Sequence, residues 1–233
     1  MAAFLFGALP ATAQDLELPL TGDGSLTQRS VQLLILLTVL SLVPALAIMF
    51  TCFPFMVTVL SILRQGIGLQ QSPPNMLIVS LALFLTYFVM EPTFLAAWND
   101  GISPMIEGDI APEDAATATI APFRVFMMGR VQLDTMAILA ELRPETTGVT
   151  VENAPLSLLV PSFLLSEIER AFQIGFLIFL PFLIIDLVVA AILMSMGMMM
   201  VPPVIVSLPF KLAFFVVADG WSLISGALVR SYF

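Results

Sequence analysis

An all-α membrane protein, made of two proline-broken helical hairpins around an acidic insert, is the fold class that three features of this 233-residue chain predict. Of its residues 59% are hydrophobic and only 11% charged, against about 25% charged in a soluble globular chain. Its mean hydropathy is +1.04, which points to an integral membrane protein. The charges are also segregated: residues 91–170 hold twelve acids and four arginines, 16 of the 25 charged side chains. Residues 31–90 hold only Arg64, and residues 171–233 only Asp186, Lys211, Asp219 and Arg230.

Composition also excludes whole classes of function. A net charge of -9 denies nucleic acid the basic face it requires. The chain has no histidine, and its single cysteine, Cys52, lies in an apolar run. Histidine zinc or haem ligation, Ser-His-Asp and Cys-His catalysis and an intrachain disulfide are thereby excluded. No cofactor and no enzymatic activity are expected.

The elements follow in order. Residues 1–13 read as a signal peptide: an apolar stretch from Ala2 to Leu9, the breaker Pro10, then Ala11-Thr12-Ala13 before Gln14, although the start carries no Lys or Arg. Residues 14–30 are polar, with Gly22 and Gly24, and read as an exported linker. Residues 31–90 form the first hairpin. The 34 uncharged residues between Arg29 and Arg64 would make a helix about 50 Å long, beyond an apolar core of about 30 Å, so Pro44 and Pro54 are expected to break it. A turn is expected from Arg64 to Asn75, carrying Gln70, Gln71, Pro73 and Pro74, before the apolar segment Met76 to Met90.

Residues 91–170 are the acidic insert. Its part from 99 to 122, with Pro104, Gly108, Pro112 and Pro122, reads as a loop; residues 123–142 carry apolar side chains at helical spacing and predict one amphipathic helix. Residues 171–233 form the second hairpin, which Pro181, Pro202, Pro203 and Pro209 are expected to interrupt, the turn lying at Pro202 and Pro203. Lipid cannot satisfy carbonyls freed by proline, so six prolines in apolar segments predict backbone that packs on protein or lines a cavity. With the signal removed, the Arg64 turn and the Pro202 to Lys211 bend lie inside and the insert outside, in accord with the positive-inside rule.

Two groups of residues are candidates for a functional role. Asp186 and Lys211 stand alone in apolar sequence, where a charge costs about 2.5 to 3.5 kcal/mol on insertion scales and so usually pairs. One reading is a structural ion-pair network that also takes in Glu167, with Arg130 or Arg124; the other is a proton relay, as in a secondary transporter or proton channel. Met194, Met196, Met198, Met199 and Met200 put five methionines in seven residues around Gly197, directly before Pro202-Pro203. Unbranched thioethers from several subunits would make a deformable pore gasket; ordinary packing of a membrane bundle is the other reading.

Long runs of residues now identify a resemblance. They include Pro54-Phe55-Met56, Ser61-Ile62-Leu63-Arg64, Gln70-Gln71-Ser72-Pro73-Pro74-Asn75 and Leu81-Ala82-Leu83-Phe84-Leu85-Thr86. In the second block they include Ala171-Phe172-Gln173-Ile174-Gly175-Phe176, Ile185-Asp186-Leu187-Val188, Met194-Ser195-Met196-Gly197-Met198-Met199-Met200, Ser207-Leu208-Pro209-Phe210-Lys211 and Asp219-Gly220-Trp221. The chain resembles the FliP family of bacterial export-gate proteins, related to the SctR proteins of virulence secretion systems, across residues 31–233. Pro161-Ser162-Phe163 and Ser166-Glu167-Ile168 depart mildly from the family pattern, and nothing residue-specific carries over to Asn99–Glu152. The resemblance implies a pentameric helical ring in the inner membrane with FliQ and FliR, beside FlhA and FlhB. It would conduct unfolded flagellar substrates, with the insert facing the periplasm.

Overall fold

The computed structural model describes residues 30, 31, 33–35, 37, 38, 41, 48–69, 73–198 and 200–233. The expected signal peptide, most of the linker, Pro44, the turn residues Gln70 and Gln71, and Met199 lie outside the described residues. The chain divides into two units, Met1–Val43 and Pro44–Phe233. In the first, the described residues are helical, with the Thr38 hydroxyl donating to the Leu34 carbonyl at 2.7 Å.

The second unit is helical throughout its described regular elements, in the order α1 (Phe53–Ile67), α2 (Asn75–Ala97), a π turn (Trp98–Ile102), α3 (Ser103–Glu107), α4 (Pro112–Met128), α5 (Leu133–Glu141), two short 3-10 turns (Pro144–Thr146 and Val151–Asn153), α6 (Leu156–Ser195), α7 (Pro203–Val217) and α8 (Gly220–Arg230). Helix α1 is the centre of the packing. Pro54 sits in its first turn, where a missing N–H is harmless, and Gly68 closes it in the left-handed conformation at φ +88°. Phe55, Met56, Val59, Leu60, Leu63, Gly66 and Ile67 are buried at i, i+3 and i+4 spacing, chiefly against α6 and α2. The crossing with α6 is close because Gly175 faces Ile62: a Cβ there would lie 2.5 Å from Ile62 Cδ1.

Among the described residues two helical stretches are long and apolar enough to cross a membrane, Asn75–Glu107 and Leu156–Ser195. The pair α7 and α8, bent by 62°, makes a third if it is one broken span. Several expectations are corrected. Pro181 does not interrupt the second hairpin: it lies inside the 40-residue helix α6, as Pro209 lies inside α7. A proline removes one ladder bond and strains one turn, and packed apolar flanks carry the helix past it. Of the four prolines expected to interrupt this block, only Pro202 and Pro203 stand at a helix boundary, with Pro202 as N-cap and Pro203 in the first turn of α7.

The insert differs as well. Residues 99–122 are not a loop but the π turn, α3 and most of α4, because Pro104 and Pro112 occupy first turns and Gly108, at φ +84°, ends α3. Gly101 lets the π turn touch α4, since a Cβ there would fall 2.7 Å from the Thr119 backbone nitrogen. The single helix expected over 123–142 is two, α4 and α5, separated at residues 129–132. Helix α6 runs unbroken through the 170/171 boundary between insert and hairpin.

Candidate functional site

Helices α1, α6 and α7 meet at one buried ion pair. Ser207 and Lys211, one turn apart on α7, share a face and both reach Asp186 of α6: Lys211 Nζ lies 2.5 Å from Asp186 Oδ2, and Ser207 Oγ donates to Oδ1 at 2.5 Å. Lys211 also donates to the Gly66 carbonyl at 3.1 Å. That carbonyl is available because the last four of a helix have no intrahelical donor. Lys211 is 3% exposed, whereas the Asp186 side chain retains 26%. A cavity of about 410 Å³ opens beside the pair, lined in part by Arg64, Phe179 and Val204. Arg64 closes the α1–α2 turn by donating to the Pro73 carbonyl at 3.5 Å and to the Asn75 side-chain oxygen. Pro74 is the N-cap of α2.

Glu167 does not join this pair, which corrects the single network expected from sequence. It lies nineteen residues before Asp186 on α6, about 28 Å along the axis, and it anchors a second cluster. Fully buried, Glu167 accepts from Arg130 Nε at 3.1 Å and Arg170 Nη1 at 3.4 Å, and from the Tyr232 hydroxyl. Arg130 Nη1 donates to the Ser231 carbonyl at 2.9 Å, and its guanidinium stacks 4.0 Å from the centre of the Tyr232 ring. The Gln132 N–H donates to Ser166 Oγ at 2.9 Å, fixing the α4–α5 turn on α6. Burial, and then the Glu167 carboxylate, push the Tyr232 phenol well above its ordinary value. Arg124 belongs to neither cluster: its Nη2 donates to the carbonyls of Glu152 and Ala154, at 2.8 and 2.7 Å.

The methionines gather at the tip of the second hairpin. Helix α6 ends in a Schellman motif, with Met198 N–H donating to Leu193 O at 2.9 Å and Gly197 N–H to Met194 O at 3.0 Å. Gly197 takes the left-handed conformation at φ +76° that the motif needs. The motif throws the thioethers outward: Met194, Met196 and Met198 are exposed and Met200 is 98% exposed. An apolar cleft of about 540 Å³ runs beside them between α6 and α7, lined by residues including Val188, Ile192, Met196, Met198 and Phe210. So large an uncovered apolar surface marks a contact with lipid or protein.

The model of the FliP family matches residues 36–228. The chain belongs to the FliP family. It is 47% identical over 235 residues to the flagellar biosynthetic protein FliP of Caulobacter vibrioides, covering all of this chain and 88% of that protein. It is 48% identical to the FliP protein of Rhizobium meliloti over 97% of this chain and 92% of that one, and 43% identical to that of Bacillus subtilis over 91% and 96%. The FliP-matched region contains Asp186, Lys211, Glu167 and the methionine tip, while Ser231 and Tyr232 lie beyond it.

Sequence reasoning missed Ser207, Gly66, Arg170 and Tyr232. The Ser207-to-Lys211 spacing is a usable signal, since a helix sets both on one face. For Gly66, which acts through its carbonyl, and for Tyr232, which arrives from the far end of the chain, residue type and spacing carry none.

Proposed function

We propose that this chain is a pore-forming core subunit of the flagellar protein export gate, conducting unfolded flagellar proteins across the bacterial inner membrane and doing no covalent chemistry. The observation that carries the reading is the methionine tip, held outward by the Gly197 turn in a chain of the FliP family. Several copies, five by the family resemblance, would converge as a ring so that Met194, Met196, Met198, Met199 and Met200 form a gasket. Flexible thioethers exclude water and ions and yield to a passing polypeptide. FliQ and FliR would complete the ring beside FlhA and FlhB, with residues 91–170 toward the periplasm, residues 31–90 and 171–233 as the two hairpins, and residues 1–13 removed on export.

In this reading Asp186 and Lys211 join helices. The pairing of Asp186 with both Lys211 and Ser207 favours that role over a proton channel, whose carboxylate must exchange partners as it titrates. The test is replacement of Met198, Met199 and Met200 together by alanine. The expected result is an assembled complex of normal yield that leaks small ions and slows growth. If the methionines are bulk packing, the complex instead fails to accumulate, at about 2 to 5 kcal/mol for each buried methionine removed. An intact, non-leaking complex would overturn the gasket.

A further inference from the structure

Helix α8 is held at its two ends and along one narrow face, where Ile224 and Leu228 join the core that α1 centres. Along its length only Gly220, Ile224 and Leu228 are buried, while Trp221 and Leu223 are exposed. At its start, the 62° bend from α7 turns on Asp219, whose φ of +48° is the one positive value at a non-glycine among the described residues. Aspartate tolerates this region because its side chain bonds locally, and here the Ser222 hydroxyl donates to Asp219 Oδ1 at 3.1 Å. Glycine is required next to it: a Cβ on Gly220 would lie 2.2 Å from the Phe215 ring. The bend is therefore specified by two adjacent residues.

At its other end the helix is held by a socket from distant parts of the chain. Tyr232 packs edge-on to Phe55 at 5.5 Å and stacks on Phe126 at 6.0 Å between ring centres. Its hydroxyl donates to Glu167, and Arg130 covers its ring and takes the Ser231 carbonyl. The socket survives without the tyrosine, since Glu167 keeps both Arg130 and Arg170. Arg130 Nη2 is buried and makes no hydrogen bond to the described residues.

We propose that α8 with residues 231–233 is a hinged arm, with Asp219 and Gly220 as its pivot and Tyr232 as a latch seated between Arg130 and Glu167. Latched, the arm buries Ile224 and Leu228; released, it presents them, while Glu167 keeps Arg130 and Arg170 and the socket stays ready to reclose. The arm opens as a unit because its backbone bonds are its own, and opening lifts Ile224 and Leu228 out of the core they share with α1.

Hydrogen exchange followed by mass spectrometry on the full-length detergent-extracted chain tests this, comparing Tyr232→Phe with the parent. The substitution keeps the ring in its aromatic seat and removes the hydroxyl that donates to a charged group. Amide exchange over residues 221–231 is expected to rise about ten- to hundredfold, with residues 156–170 of α6 and residues 133–141 unchanged. Unchanged exchange in α8 would overturn the latch. So would a rise spread over α6 and α5, or a chain that no longer accumulates, because either makes Tyr232 a keystone of the whole fold.

Discussion

Removing either member of the Asp186–Lys211 pair alone should harm the protein more than removing both. In Asp186→Leu, the Lys211 amine is left at 3% exposure with only the Gly66 carbonyl to accept from it. Breaking a buried pair in this way costs about 3 to 5 kcal/mol, and this variant belongs at the upper end. In Lys211→Met, Asp186 retains the Ser207 hydroxyl and 26% exposure to solvent, so the loss belongs at the lower end, about 3 kcal/mol. The double variant leaves no charge stranded. Ser207 still donates to the Val204 carbonyl at 3.2 Å, and what remains is chiefly the unpaired Gly66 carbonyl, about 1 to 2 kcal/mol. Chemical unfolding of the detergent-purified chain should thus rank the variants as Asp186→Leu worst, Lys211→Met next and the double mildest. A double variant whose loss equals the sum of the singles would show that the two side chains do not act as a pair. A Lys211→Met loss exceeding that of Asp186→Leu would refute the burial argument.

Close packing and titration give further expectations. Gly175→Ala drives a methyl to 2.5 Å from Ile62 Cδ1 and 3.3 Å from its Cβ; it should destabilise the α1–α6 crossing by about 1 to 3 kcal/mol. Ile62→Val in the same chain should recover part of that loss. Gly101→Ala should disturb the insert at least as much, because its Cβ meets the Thr119 backbone, and faster proteolysis between residues 98 and 128 reports it. Tyr232 is held protonated in the fold, so its contribution is complete below the free phenol's pKa of about 10 and declines as pH rises beyond it. The thermal midpoint of the parent should therefore fall more steeply above pH about 10 than that of Tyr232→Phe.

The sequence alone determined the solvent of this protein and its kinship. With one charge in residues 31–90 and four in 171–233, only lipid or protein can surround those helices, and the motifs from Pro54 to Trp221 carry the family resemblance. It also singled out Asp186 and Lys211, because an isolated charge in apolar sequence demands a partner, and the methionine cluster, whose density is visible in a line of text. What each proline does was decided in three dimensions: Pro181 and Pro209 stand inside helices, Pro54 and Pro203 begin them, and the choice depends on packing across the turn that each one weakens. The insert hid its helices for a similar reason, since Pro104, Pro112 and Gly108 punctuate loops and helix ends alike. The partition of charges was likewise tertiary. Helix α6 carries Glu167 and Asp186 at separate levels, and only the return of the chain end to Arg130 shows that Tyr232 completes the first, while the meeting of α1 with α7 gives Gly66 to the second. Sequence separation holds no record of such contacts, because they exist only after distant segments have packed side by side.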